Sequence, residues 1–130
     1  HVSSASKPVH LGIDFWVPEG TVVTFPYAAG DVIRRVPNNG EPGGWGNRLD
    51  VAVGRFVALF AHLGDMTHAT ALTCGRVVGT VGGRSDNGGW RPHLHLQAVS
   101  REFYDENPGF DAYAATDDPI VLHTVDPALL

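Results

Sequence analysis

Sixteen glycines and nine prolines cut this 130-residue chain into short runs. Glycine and proline are the strongest local punctuators of backbone structure, so the runs between them set what can fold. Those runs are rich in β-branched and aromatic residues: HLGIDFWV, TVVTFPY, GDVIRRV, NRLDVAV, RFVALFAHL, GRVVGTVG and HLHLQAV. Turn-forming stretches (PEG, NNGEPGG, GGRSDNGG) separate them. The pattern predicts an all-β fold, mostly antiparallel, a β-sandwich or partly open barrel with little helix. Residues 64–74 read as a helical turn or a loop. The tail from Phe103, rich in Asp, Pro and Ala, is expected to wrap the sheet or to begin a connection to a neighbouring domain.

The length is that of one domain with a real hydrophobic core, expected over about residues 9–100, with 101–130 as an extension or linker. No apolar run approaches the roughly 20 residues that span a bilayer. A net charge of −5 without a basic cluster argues against nucleic acid as a partner. The single Cys74 excludes an intramolecular disulfide and is expected to be a small buried residue without chemistry. A first residue other than Met reads as a mature form or a piece of a longer chain.

GTVVTFPYAAGDVIRRV and CGRVVGTVGG each set a glycine ahead of a β-branched run, a pattern also found in lipoyl-type carriers. Such a carrier needs a lysine on an exposed hairpin tip. The only lysine is Lys7, in the N-terminal stretch, so that reading fails.

Chemistry concentrates in the histidines. In RPHLHLQ, His93 and His95 alternate with leucines, so a strand puts both imidazoles on one face and both leucines on the other. Standing alone, such a pair is as readily a solvated surface strand. In HLGIDF, His10 and Asp14 are good ligands for zinc. Fully extended, residues four apart lie roughly 13 Å from one another at about 3.3 Å per residue. Shared ligation therefore demands a bend or bulge, which Gly12 permits. By itself this pair is a weak signal. His62 ends the run RFVALFAHL, where a lone histidine is more often structural than catalytic.

HLGID, FAHL and PHLHLQ, in this order, resemble the zinc metallopeptidases of the lysostaphin and LytM type, family M23. The resemblance covers roughly Val9 to Val99. It implies a lysostaphin-like fold and one zinc per chain, held by His10, Asp14 and His95. His62 and His93 are then the catalytic histidines. The implied activity is endopeptidase cleavage of short glycine- or D-amino-acid-containing peptides, such as peptidoglycan stems or cross-bridges. The family default is an extracytoplasmic, cell-envelope location. Two positions depart from the family pattern: Phe60 stands where a tyrosine is common, and Gln97 where a glutamate often follows the His-x-His. Both bear on the tuning of the site more than on its ligands.

The competing class is a non-catalytic or regulatory binding module inside a larger protein. The NGGWRPHLHLQ approach and the closing VDPALL are similar to M23-type domains placed between a phosphotransferase and a class III aminotransferase domain, a cytoplasmic setting. All five key residues are present, which favours the enzyme. The substrate groove is expected between loops Pro37–Asn47 and Gly82–Trp90, with Trp45 and Trp90 exposed along it. His1, His68 and His123 read as solvated or structural, and Asp117 and Asp118 as turn residues.

Overall fold

The computed structural model describes residues 9–40, 44–87, 89–107, 109, 113–114 and 123–130, with the backbone alone at positions 9, 113 and 114. His1, Asp117 and Asp118 lie outside the described residues, as do parts of both expected groove loops. Eleven strands account for most of the described chain. They are β1 (Val9–His10), β2 (Gly12–Phe15), β3 (Val22–Thr24), β4 (Ala29–Val36), β5 (Asn47–Val53), β6 (Phe56–Met66), β7 (Ala71–Thr73), β8 (Val77–Val81), β9 (Leu94–Ser100), β10 (Tyr113–Ala114) and β11 (Thr124–Val125). One helix, α1 (Arg101–Glu106), follows β9 directly.

Every expected strand run holds a strand, and all the pairings are antiparallel. Nine strands form one open sheet with the path β11-β9-β6-β5-β4-β7. On the β11 side of β9, β2 pairs with its first half, and β8 bridges β6 to β3. The two glycine-led runs that suggested a carrier thus supply β3 and β8, which lie side by side.

Strand alternation sorts the side chains of this sheet into two faces. One face carries the larger core, in which Phe25, Leu49, Val51, Phe60, Leu63 and Val78 are almost fully buried. Leu94 and Leu96 of β9 point into it. The other face carries a smaller cluster of Leu11, Val57, Leu59, Val99 and Phe103. Each of these large apolar side chains contributes about 1.5–3 kcal/mol by leaving water.

The smaller cluster exists because α1 folds back over the sheet. Ser100 caps the helix, its Oγ accepting from the Phe103 amide at 3.2 Å. The Tyr104 hydroxyl donates to Asp50 Oδ2 at 2.6 Å. Asp50, wholly buried, is held from the other side by the Arg48 guanidinium at 2.8 and 2.9 Å. The fork-on-fork pair satisfies two charges that would otherwise be costly inside the protein. Past it, β11 adds to β9, and Tyr27 donates to the Pro127 carbonyl at 2.8 Å, so the last described residues lie against the sheet.

Three local expectations are corrected. Residues 64–74 are neither helix nor plain loop: Gly64, Asp65 and Met66 extend β6, and Ala71–Thr73 forms β7 against the edge of β4. Cys74 is exposed, because it sits in the tight turn from β7 to β8 beside Gly75, whose φ is +89°. The first run is two short strands rather than one. Its break at Leu11 sends β1 to pair with β10 and β2 to pair with β9.

Strand β6 is the spine, and it changes partner midway. Up to Ala61 it pairs with β9, and from Leu63 it pairs with β8. The change falls on His62, which has φ +63°, the one non-glycine with positive φ among the described residues. Its amide donates to the Trp45 carbonyl at 2.8 Å, and its carbonyl accepts from Gly82 at 2.9 Å. A left-handed non-glycine costs about 1 kcal/mol or more and persists where the surroundings over-determine it. Here the strand leaves one sheet partner for another at a single residue, which sets the His62 side chain beside the start of β9.

Candidate metal centre

The register across β2, β9 and β6 lines up Asp14, His95 and Ala61 as direct neighbours. The break at Leu11 brings His10 back over this row. One ligand atom each from His10, Asp14 and His95 lies within 4.8 Å of the others. The bend demanded by the sequence is therefore real, but Gly12 serves it differently from expected. A Cβ at Gly12 would sit 2.6 Å from the Leu96 carbonyl and 2.8 Å from the His95 ring, so glycine is needed to let that ring in.

Each imidazole has one nitrogen tied to an acceptor. His10 Nδ1 donates to the Gly12 carbonyl at 2.8 Å, and His95 Nε2 to Gln97 Oε1 at 2.9 Å. His93 Nδ1 donates to the Arg91 carbonyl at 2.9 Å, and His62 Nδ1 makes a longer contact of 3.3 Å to the Asp86 carbonyl. A carbonyl can only accept, so the tied nitrogen carries the hydrogen and the other keeps a lone pair.

Those lone pairs decide the electrostatics. His95 Nδ1 faces Asp14 Oδ1 at 3.0 Å, and His10 Nε2 faces Asp14 Oδ2 at 3.2 Å. Each is a close nitrogen–oxygen approach that a proton or a cation between the two atoms completes. Two imidazole nitrogens and a carboxylate form a donor set that suits zinc, which takes three protein ligands at sites that keep a position open. Burial opposes ionisation of Asp14, but the hydrogen bond from His95 and the charges of His10, His95 and His93 outweigh it, holding the carboxyl below its ordinary 3.8.

His93 and His62 stand beside this trio. His93 Nε2 is 3.9 Å from Asp14 Oδ1, and the His93 and His62 ring centres are 4.7 Å apart. His93 and His95 are both buried, so the imidazole face of RPHLHLQ is not a solvated strand. Burial, then repulsion from His93 and His95, pushes His62 down from 6.5 to about 4, against the pull of the Asp86 carbonyl and Asp14. It is a neutral base throughout the physiological range.

The remaining expected residues divide. Trp45 is half-buried rather than exposed, its ring 5.7 Å from His95 and under the Arg48 guanidinium, while Trp90 is exposed. Phe60 faces the larger core, packed near Phe25, so the missing tyrosine hydroxyl falls on the face away from the histidines. Gln97 bears on the site directly through His95. His68 is exposed, and His123 is structural, held by Ser100 at 2.8 Å and stacked on Phe103.

Sequence reasoning missed two residues. Trp16 packs on His93 with ring centres 4.4 Å apart. Lying two residues beyond Asp14, it falls on the same strand face, and period-two counting finds it. Asn87, buried in the loop before β9, donates to the Arg91 carbonyl at 3.0 Å and so braces the group that holds His93. No sequence pattern points to it.

A cavity of about 380 Å³ lies on the reverse of β2 and β9, among Ile13, Phe15, Leu94, Leu96 and Pro127. No carboxylate, imidazole or cationic side chain lines it, so the histidine cluster and this apolar hollow are on opposite faces.

No family model matches the chain, and a search of curated proteins finds no match. Solved structures do match. Lysostaphin, the antimicrobial peptidase from Staphylococcus simulans, superposes with a TM-score of 0.61 at 20% identity, over 92% of this chain and 42% of its own. A peptidase M23 structure from Pseudomonas aeruginosa, itself described as putative, gives 0.61 at 28% identity, over 92% and 42%. A zinc-containing peptidase from Vibrio cholerae gives 0.57 at 25% identity, over 71% and 27%. The chain thus spans less than half the length of each of these three. With the nine-strand open sheet and the ordered His10–Asp14, His62 and His93–His95 motifs, these likenesses give the chain a fold similar to that of lysostaphin and the M23 peptidases.

Proposed function

We propose that this domain is a zinc-dependent endopeptidase acting on short glycine- or D-amino-acid-containing peptides, such as peptidoglycan stems or cross-bridges. One observation carries the reading. Two imidazole nitrogens meet the two oxygens of one carboxylate at 3.0 and 3.2 Å, an arrangement that a cation completes. The peptidase neighbours support the reaction class.

His10 Nε2, Asp14 and His95 Nδ1 would hold one zinc per chain. Bound there, zinc supplies Lewis acidity and makes water acidic enough to be a nucleophile near neutral pH. His62 and His93, with rings 4.7 Å apart, divide the proton work. One accepts a proton from the attacking water on its free Nε2 and passes that proton to the departing amine nitrogen, while the other, when protonated, stabilises the tetrahedral oxyanion. The acceptor ties on Nδ1 keep both lone pairs on Nε2, so neither ring must change tautomer before it accepts a proton. Trp16 over one face of His93 fixes that ring in place.

The test is metal content by mass spectrometry, on protein purified without chelator or nickel, followed by digestion of peptidoglycan and of oligoglycine peptides. Zinc near one per chain in the wild type and in His93→Ala, but lost in His95→Ala, is the expected result. Turnover should be absent from both variants. Wild-type protein that stays folded and takes up no added zinc overturns the proposal, as does full activity of His93→Ala.

A further inference from the structure

The rim of the site carries a cation without an acidic partner. Among the described residues, Arg48 and Arg101 pair with Asp50 and Asp105, whereas the Arg91 guanidinium lies over the Trp16 ring, 4.7 Å from its centre. Trp16 in turn packs on His93 at 4.4 Å. The result is a stack of guanidinium, indole and imidazole that ends on a residue of the proposed catalytic pair. Next to it, Trp16, Val17, Pro18, Arg91 and Pro92 line a hollow of about 250 Å³. Its walls are stiff, since two of the five residues are prolines and the indole is held between two neighbours.

We propose that this hollow is a subsite for a substrate carboxylate, with Arg91 as the residue that selects it. The inference rests on the peptidase reading and narrows it to acidic peptides over neutral oligoglycine. An indole face orients a guanidinium without consuming its hydrogen-bond donors, so the planar fork stays available for a bidentate carboxylate. The two stacking distances put the guanidinium within about 9 Å of the His93 ring, two to three residues of extended chain at about 3.3 Å each. The selected carboxylate is therefore a near neighbour of the scissile bond, such as the free α-carboxyl of a D-isoglutamyl residue. The net charge of −5 disfavours an acidic peptide on average, so a local cation is needed to select one.

A matched pair of stem tetrapeptides, one with D-isoglutamate and one with its amide, D-isoglutamine, tests this. Affinity is measured by calorimetry on the zinc-loaded domain, and cleavage is followed separately. The acid should bind about tenfold tighter than the amide, as a charge-assisted contact at a half-open site predicts. That preference should shrink in 0.5 M salt and fall to near unity in Arg91→Gln. Equal binding of the two peptides, binding of neither, or an unchanged preference in Arg91→Gln overturns the subsite. Tight, acid-selective binding without cleavage instead upholds the subsite and counts against the peptidase reading alone.

Discussion

Gln97 Oε1 sits 2.9 Å from His95 Nε2, on the side of the ring away from Asp14. That contact decides which nitrogen of His95 carries the hydrogen, and so which one is left for a metal. The amide of Gln97 is fully buried, and its Nε2 has no hydrogen-bond partner. Replacing it with methionine keeps the volume and removes the acceptor. Zinc affinity of Gln97→Met should fall about 10- to 100-fold, measured by chelator competition, with little change in the fold by circular dichroism. An unchanged affinity means that the acceptor does not set the tautomer.

Gly12 packs tightly against a proposed zinc ligand. Adding a methyl group there meets the Leu96 carbonyl and the His95 ring at 2.6 and 2.8 Å. The methyl group therefore strains the β2·β9 ladder at the carbonyl and displaces the imidazole as well. Gly12→Ala should lose about 1–3 kcal/mol in denaturant unfolding and bind zinc more weakly than wild type. Wild-type stability and affinity in this variant would show that the ring has room to move.

His62 makes metal-free stability depend on pH. Its folded value is pushed down to about 4, mainly by burial, whereas the unfolded chain titrates near 6.5. Between those values the unfolded state binds the extra proton. The stability is whole above pH 6.5, is lost as pH falls towards 4, and changes no further below that. The loss is on the order of 1–3 kcal/mol. Asparagine tolerates the left-handed backbone, so His62→Asn is the control. Urea unfolding between pH 7.5 and 4.5 should show a shallower decline in the variant, and identical slopes would rule out the His62 assignment.

The backbone of His62 allows a separate check. At φ +63°, any residue with a Cβ is strained and glycine is not. His62→Gly should be about 1 kcal/mol more stable than His62→Ala, the reverse of the usual order inside a strand. Both should lack turnover. If alanine is the more stable, the left-handed bend relaxes once the imidazole is gone.

Much of this molecule was legible before any tertiary structure. Alternation in HLHL fixed two faces, and those faces are the larger core for Leu94 and Leu96 and the site for His93 and His95. The distance between His10 and Asp14 along an extended strand demanded a bend, and the chain bends at Leu11. Even the unremarked Trp16 was within reach of the same period-two rule. Local patterns carry this information because strand geometry is local.

What the tertiary structure alone decided depends on partners distant in the chain. β6 exchanges β9 for β8 at His62, and that exchange sets the His62 ring beside His93. Asp86 and Arg91 supply the carbonyls that orient two imidazoles, with Asn87 bracing the second. The chain path also leaves Arg91 stacked on Trp16, 75 positions earlier in sequence. Sequence spacing shows which residues are capable of the chemistry. Their tautomers, stacking and charge state come from acceptors and neighbours that only the closed sheet pairings bring within 3 to 5 Å.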